Sequence, residues 1–230
     1  MTTAKLAGAE KWGTFYAGGT GSTFPDESLV RLFRGTYVDV PRSGRVLDVG
    51  FGTGNNLVML AQTGYEAYGL EVAESCLETA RTLAASAGVP LALGLLEGTT
   101  LPYPDAYFDV VLSWNAVYYY GRRRLVAAAI DDFHRVLRPG GALLLSVPHP
   151  NNVLTRRLSE DLGDGRHRIE KAASIDNRQG SEIFYEPTSS GWRQLLARFH
   201  DVEEGYAEAD LFNPGRRLAW RLFIARKPGT

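Results

Sequence analysis

The chain has 230 residues, of which 44% are hydrophobic and 22% are charged, and its formal net charge is −1. This composition is ordinary for a folded globular protein and unlike that of a disordered chain. Because no excess of positive charge is available to bind a phosphate backbone, the composition speaks against a nucleic-acid-binding protein. The length suits one domain with additions.

The apolar runs are short: the longest, such as residues 142–147, cannot cross a bilayer, and no run has the length of a signal peptide. We therefore expect a cytosolic protein that does not bind a membrane. Cys76 is the only cysteine, which excludes internal disulfides and zinc clusters of several thiolates. The four histidines have no ligand spacing, so we predict no metal.

In chain order, a capped helix is expected to begin near residues 25–27, and short apolar runs then alternate with longer amphipathic ones. The short runs predict strands over residues 45–49, 67–70, 91–95, 108–113 and 141–147. The longer runs predict helices over residues 55–63, 74–87 and 122–137. Strand, helix and strand in succession indicate an α/β fold with a parallel sheet and right-handed crossovers.

The C-terminal part predicts a helix over residues 187–199 and two strands over residues 201–212 and 218–226, which would suit an antiparallel edge hairpin. We predict a single domain with four parts. These are an N-terminal cover (1–43), a ligand-binding core (44–147), a lid insertion (148–187), and a C-terminal helix with edge strands (188–230). Both covers are expected over the end of the sheet, where ligands bind.

A glycine-rich turn, Asp-Val-Gly-Phe-Gly-Thr-Gly at residues 48–54, lies between the first strand and the helix that follows it. Gly50, Gly52 and Gly54 let the backbone turn tightly and approach a ligand, which indicates a nucleotide cradle. The signal is weak alone, since dinucleotide enzymes use a similar turn with G-x-G-x-x-G spacing. Asn55 stands where that spacing requires its third glycine.

Two carboxylates narrow the choice of ligand. Asp48 precedes Gly50 by two residues, where it would repel a pyrophosphate but suits an ammonium group and a sulfonium centre. S-adenosylmethionine has both and no phosphate. Glu71 closes the second strand, where it can accept hydrogen bonds from both ribose hydroxyls. Dinucleotide enzymes share such a carboxylate, so Glu71 supports an adenosine ligand without choosing which one.

With these residues the chain resembles the class I (Rossmann-like) S-adenosylmethionine-dependent methyltransferase family. Four consecutive motifs carry the resemblance, at residues 46–54, 69–72, 96–109 and 135–145. It implies a three-layer Rossmann-like methyltransferase fold, mainly parallel with an antiparallel edge hairpin, and S-adenosylmethionine as cofactor. It also implies that Glu97, where the family usually has aspartate, faces the adenine amino group beside the Gly98 backbone. Phe51 and Val72 join the cofactor site as members of the first two motifs.

The segment that leaves the fourth strand, residues 113–120, is unusually aromatic and should lie beside the methyl acceptor. Our hypothesis is that its rings, with two from the N-terminal cover, wall the acceptor pocket and offer π faces to the sulfonium. The alternative is that they only pack the sheet against the lid. We assign Tyr16, Ser113 and Trp114 to the cofactor site, and Trp12, Asn115, Tyr118 and Tyr119 to the acceptor site.

His149 follows the fifth strand and is our candidate for a catalytic base that takes a proton from the acceptor. The alternative is that it only anchors the loop between Pro148 and Pro150. The arginines at residues 122–124 and 156–157 are expected on solvated surfaces, although arginine would also clamp a carboxylate- or phosphate-bearing acceptor.

The predicted function is methyl transfer from S-adenosylmethionine to a small-molecule acceptor by in-line displacement. Alternatives are an RNA or protein methyltransferase and a non-catalytic S-adenosylmethionine-binding protein. A dehydrogenase is disfavoured by Asp48 and Asn55. The identity of the acceptor, its reacting atom and the oligomeric state stay open.

Overall fold

The computed structural model describes residues 9–17, 23–170, 178–209 and 217–229. The helices are α1 (Ala9–Ala17), α2 (Glu27–Arg34), α3 (Asn55–Gln62), α4 (Glu74–Ala87), α5 (Arg123–Val136), α6 (Val153–Arg156) and α7 (Ser189–Leu195), with a 3-10 helix at Val117–Tyr120. The strands are β1 (Gly44–Val49), β2 (Tyr65–Glu71), β3 (Ala92–Leu95), β4 (Phe108–Trp114), β5 (Leu137–Pro148), β6 (Ser159–Gly163), β7 (Arg166–Ile169), β8 (Glu182–Phe184), β9 (His200–Ala209) and β10 (Leu218–Arg226).

Seven strands form the main sheet in the order β3-β2-β1-β4-β5-β10-β9. The first five strands of the chain are parallel to one another, while β10 is antiparallel to both β5 and β9. The strand order reverses between β1 and β4. In open parallel sheets this reversal leaves a crevice at the carboxyl ends of the strands, where ligands bind.

Apolar side chains cover both faces of the main sheet. Successive residues of β4 alternate, so Val111 packs in one buried cluster while Val110 and Leu112 pack in the other. Phe133 of α5 belongs to the first cluster and Leu60 of α3 to the second. The sheet between two helical layers confirms the predicted three-layer α/β fold with its antiparallel edge hairpin.

One predicted boundary was wrong, because α5 ends at Val136 and β5 begins immediately at Leu137 instead of residue 141. Leu137 is fully buried and pairs with Phe108 on β4. Gly140 donates its N–H to the Lys227 carbonyl at 3.0 Å. This pairing on both sides extends the strand through the Pro-Gly-Gly segment that would otherwise signal a turn.

The helix predicted over residues 187–199 is also shorter, spanning Ser189–Leu195. Thr188 caps its first turn by accepting the Gly191 N–H at 3.0 Å. The predicted strand at residues 201–212 extends from His200 to Ala209, and its last three predicted residues lie outside the described part of the chain.

Strands β6, β7 and β8 form a separate antiparallel sheet in the segment predicted to be a lid, and this sheet was not predicted from the sequence. Its strands are short and polar, as in Arg166–Ile169, so hydrophobic alternation gives little signal. Ile169, Ile183 and Phe184 are nevertheless buried and join the core cluster that contains Tyr118. Among all described residues, no helix is long and apolar enough to cross a membrane.

Candidate functional site

A cleft opens at the carboxyl ends of β1, β2 and β4, and its empty space, including the open mouth, is about 580 Å³. Two sets of lining residues have different origins. The floor comes from the strand ends and comprises Val49, Gly50, Glu71, Val72, Leu96 and Ser113. The roof comes from α1 and the 3-10 helix and comprises Trp12, Tyr16, Tyr119 and Tyr120.

The glycine turn brings bare backbone to the floor. Gly50 has φ +82°, in the left-handed region, and a Cβ there would come 2.4 Å from the Ala116 Cβ. Gly52 has φ +60°, and a Cβ there would come 2.8 Å from the Tyr16 hydroxyl. Neither position has room for a side chain, so the sequence must have glycine to form this cradle.

Asp48 lies directly beneath the floor and is fully buried. Neither of its carboxylate oxygens has a hydrogen-bond partner among the described residues. Burial, together with the nearby Glu71, raises the pKa of Asp48 to about 8. A buried carboxyl group without a partner is costly, and a cationic donor in the cleft would relieve that cost.

Glu71 closes β2 and joins the glycine turn to that strand. One carboxylate oxygen accepts the Gly52 N–H at 3.3 Å, and the other accepts the Val72 N–H. Burial raises the pKa of Glu71, and the N–H groups of Val72, Gly52 and Ala73 oppose this shift. The floor and the residue beneath it therefore hold two buried carboxyl groups, and no lysine or arginine is among the described residues that line the cleft.

The roof is a connected set of aromatic rings. The Trp12 ring stacks on Tyr16 with centroids 5.8 Å apart and meets Tyr119 edge-on at 4.8 Å. The Tyr120 hydroxyl donates to the Gly98 carbonyl at 3.3 Å. Burial and the negative charge of Glu71 raise the pKa of Tyr16, so its phenol stays neutral.

Eight residues predicted for the site line the cleft. They are Tyr16, Gly50, Glu71, Val72 and Ser113 from the cofactor set, and Trp12, Asn115 and Tyr119 from the acceptor set. Phe51, Gly52 and Gly54 build the turn behind it. Phe51 is buried and packs where a Cβ on Gly69 would stand, which explains why β2 has glycine there.

The predicted adenine contact is placed differently. Glu97 is exposed and is not among the residues that line the cleft, whereas its neighbour Leu96 is buried and does line it. Leu96 is held there because its N–H donates to the Glu71 carbonyl at 2.8 Å. Gly98 likewise lies outside the cleft lining, and its carbonyl is occupied by Tyr120.

Trp114 and Tyr118 do not line the cleft in the described structure, contrary to the sequence-based assignment. Side chains alternate along β4, so Ser113 faces the cleft and Trp114 enters the core cluster on the opposite face. Tyr118 is 1% exposed and stacks with Trp220 at 6.2 Å. Both rings pack in the buried core.

His149 also lies apart from the described cleft lining. Its ring meets Tyr206 of β9 edge-on at 5.2 Å, and its Nδ1 accepts the Asn151 N–H at 3.1 Å. Burial and then the positive charge of Arg221 lower the pKa of His149, while Glu208 opposes the shift. This placement agrees better with the loop-anchoring alternative than with a catalytic base.

Sequence reasoning missed four apolar residues of the lining: Val49, Leu96, Ala116 and Val117. Val49 is the last residue of β1, and Leu96 directly follows β3. Their positions could have been predicted, because residues at the carboxyl ends of parallel strands meet at one edge of the sheet. They were missed because apolar residues at strand ends are common and do not by themselves indicate a binding site.

Comparisons with known proteins agree with this geometry. Residues 46–141 match a family model described as a methyltransferase domain. The 27-O-demethylrifamycin SV methyltransferase of Amycolatopsis mediterranei is 29% identical, and the match covers 80% of this chain and 77% of that protein. An S-adenosyl-L-methionine-dependent Diels-Alderase of Talaromyces variabilis is also 29% identical, over 61% of this chain and 49% of that protein.

Among solved structures, an S-adenosylmethionine-dependent methyltransferase from Methanosarcina mazei has the same fold, with a TM-score of 0.71 and 19% identity. The match covers 90% of this chain and 100% of that one. The glycine cradle and the unpartnered Asp48 fit a cationic adenosine ligand. Residues 46–141 therefore match a methyltransferase domain, the chain has the fold of an S-adenosylmethionine-dependent methyltransferase, and the site fits S-adenosylmethionine as the cofactor.

Proposed function

We propose that this enzyme methylates an uncharged, largely apolar small molecule. The observation that carries the proposal is the lining of the cleft: four aromatic rings and several aliphatic side chains, with no lysine or arginine among the described lining residues. Such a surface favours neutral organic molecules. The relative that methylates 27-O-demethylrifamycin SV supports a small acceptor as well.

We assign the floor to the cofactor. The Glu71 carboxylate would accept hydrogen bonds from the ribose hydroxyls, and Asp48 would compensate the positive charge of the amino-acid end through the glycine turn. Leu96 would cover one side of the adenine. When bound, the cofactor supplies a methyl group on a sulfonium, which leaves by in-line displacement.

We assign the roof to the acceptor and to the exclusion of water. The stacked Trp12 and Tyr16 offer ring faces that stabilise positive charge nearby. Because its pKa is raised, Tyr16 would act as a neutral hydrogen-bond donor and not as a base. The enzyme's contribution would then be alignment of the two reactants in a dry cleft.

The test is methyl transfer from S-adenosylmethionine carrying a deuterated methyl group, followed by mass spectrometry. The panel contains neutral phenols and macrolactones, the same scaffolds bearing carboxylates, a structured RNA and a basic peptide. We expect labelled product from the neutral scaffolds. The yield of labelled product should be lower when the scaffold bears a carboxylate near the reacting atom. Labelling of the RNA or the peptide alone would contradict the proposal.

A use of the cofactor without methyl transfer is the second candidate, because one relative is named a Diels-Alderase. Release of S-adenosylhomocysteine separates the two, since only methyl transfer forms it. Turnover of an acceptor without S-adenosylhomocysteine would favour this second function.

A further inference from the structure

We propose that the Asn115 carboxamide binds the carboxylate of the cofactor's amino-acid end, and that Ser146 positions it. The inference rests on the identity of the cofactor and not on the proposed acceptor. Asn115 lines the cleft directly after β4, between the floor and the roof. Its φ of +57° lies in the left-handed region, which asparagine tolerates better than most residues but still at a cost.

Two hydrogen bonds hold Asn115 in this conformation. Its backbone N–H donates to the Ser146 Oγ at 2.7 Å, and the Ser146 hydroxyl donates to the Asn115 Oδ1 at 2.7 Å. Ser146 is fully buried on β5 opposite Trp114. These two hydrogen bonds, which we call the clamp, therefore join Asn115 to the centre of the sheet. Backbone and side chain of Asn115 are thus fixed by one hydroxyl group.

The clamp decides which end of the carboxamide is available. With Oδ1 turned to Ser146, Nδ2 points away from Ser146, because the two atoms lie on opposite sides of Cγ within the planar carboxamide. No described residue accepts from Nδ2, and it is not among the enclosed polar atoms that lack a partner. Its two N–H groups are therefore accessible from the cleft that Asn115 lines.

The chemistry of the cleft indicates what these donors bind. An amino-acid end carries an ammonium group, which suits Asp48 once that carboxyl group is ionised, and a carboxylate, which needs hydrogen-bond donors. No described lysine or arginine lines the cleft, and Arg178, whose positive charge acts on Tyr16, lies outside that lining. The Ser113 and Tyr120 hydroxyls already donate to backbone carbonyls. A fixed carboxamide supplies two donors there.

Two probes isolate the contact by calorimetry. S-adenosylhomocysteine has the amino-acid end, whereas 5′-methylthioadenosine has the same adenosine and sulfur without it. Asn115→Gly removes the carboxamide and keeps the left-handed backbone. We expect it to weaken S-adenosylhomocysteine on the order of 10- to 100-fold, the range for a hydrogen bond to a charged group. Affinity for 5′-methylthioadenosine should stay within about twofold, since that probe lacks the charged group.

Further variants test the orientation and the role of Ser146. Asn115→Asp should weaken S-adenosylhomocysteine more than Asn115→Gly does, because it places two carboxylates together. Ser146→Ala should weaken S-adenosylhomocysteine more than 5′-methylthioadenosine. A loss of stability alone would not change the ratio of the two affinities. Asp164→Gly, at another left-handed residue with φ +55°, is the matched control and should leave both affinities unchanged. Equal losses for both probes in Asn115→Gly, or tighter binding in Asn115→Asp, would overturn the proposal.

Discussion

The floor and the roof of the cleft are built in different ways. The floor is backbone and buried carboxyl groups at the ends of paired strands, so the sheet itself fixes its shape. The roof is four side chains on two short helical segments outside the sheet. A ring can change there without moving a strand. The difference teaches that the sheet fixes the floor, which we assign to the cofactor, whereas a few side chains can reshape the roof, which we assign to the acceptor.

The largest effect is expected from breaking the floor at Gly50. Gly50→Val would place a side chain against Ala116 and force a β-branched residue into the left-handed region. Each of these costs about 1–3 kcal/mol of stability, and a turn that moves to relieve them displaces the backbone that faces the ligand. Affinity for S-adenosylhomocysteine should therefore fall on the order of 100-fold or more. Calorimetry measures this, with circular dichroism to verify folding.

Gly88→Ala is the control for backbone strain. Gly88 also has a left-handed φ of +66°, yet a Cβ there meets nothing within 4 Å. It should cost about 1 kcal/mol of stability and leave S-adenosylhomocysteine binding unchanged. Equal binding losses in the two variants would show that the glycine turn is not the cofactor cradle.

The next largest effect is the pH dependence of stability and of ligand affinity, which tests the charge of Asp48 beneath the floor. The folded apoprotein keeps a proton on Asp48 up to about pH 8, whereas the unfolded chain loses it near 3.8. Stability of the apoprotein should therefore fall as pH rises between these values and level off above pH 8. If a cationic ligand ionises Asp48, its binding releases a proton below pH 8 and tightens up to about tenfold per pH unit.

Calorimetry in two buffers of different ionisation enthalpy counts the released proton. Asp48→Asn removes the titrating group and should abolish both the proton release and the slope of affinity with pH. A wild-type protein that binds S-adenosylhomocysteine near pH 6.5 without releasing a proton would contradict this account.

A smaller effect is expected from the roof. Trp12→Ala removes a ring that contacts both Tyr16 and Tyr119, and should raise the KM for the acceptor about tenfold. Affinity for S-adenosylhomocysteine should change less. Trp12→Phe keeps a ring and should recover most of the loss. If Trp12→Ala weakened the cofactor alone, the division between floor and roof would be wrong.

The smallest effect is expected at His149, which packs against Tyr206 outside the described cleft lining. His149→Ala should lower stability by about 1 kcal/mol through the lost ring contact and leave kcat nearly unchanged. The pH profile of kcat is the decisive readout. Loss of its acidic limb in the variant would restore His149 as the catalytic base.

The sequence indicated residues of the floor and of the roof on different physical grounds. Gly50 and Glu71 belong to local motifs in which strand, turn and helix follow within a few residues, so their positions follow from chain order. The roof depends on where α1 docks on α4, through contacts such as Ser75 Oγ donating to the Gly13 carbonyl at 3.4 Å. Such long-range contacts leave no periodic signal.

Trp114 and Tyr118, which are absent from the described cleft lining, were assigned to the site because residues 113–120 were interpreted as one aromatic segment. The two-residue period of β4, extended to its end, would have placed Ser113 and Trp114 on opposite faces. Tyr118 required knowledge of the lid, because its burial depends on β8 and on stacking with Trp220. The sheet of β6, β7 and β8 was missed because its strands are short and largely polar.

A crystal structure with S-adenosylhomocysteine tests the division into floor and roof most directly. We predict that the ribose lies on the Glu71 carboxylate and that the sulfur faces the space beneath Trp12, Tyr16 and Tyr119. The remaining cavity beyond the sulfur should be walled by these rings and contain no basic side chain. A ligand whose sulfur points away from the roof, or into a groove lined by arginines, would contradict the account.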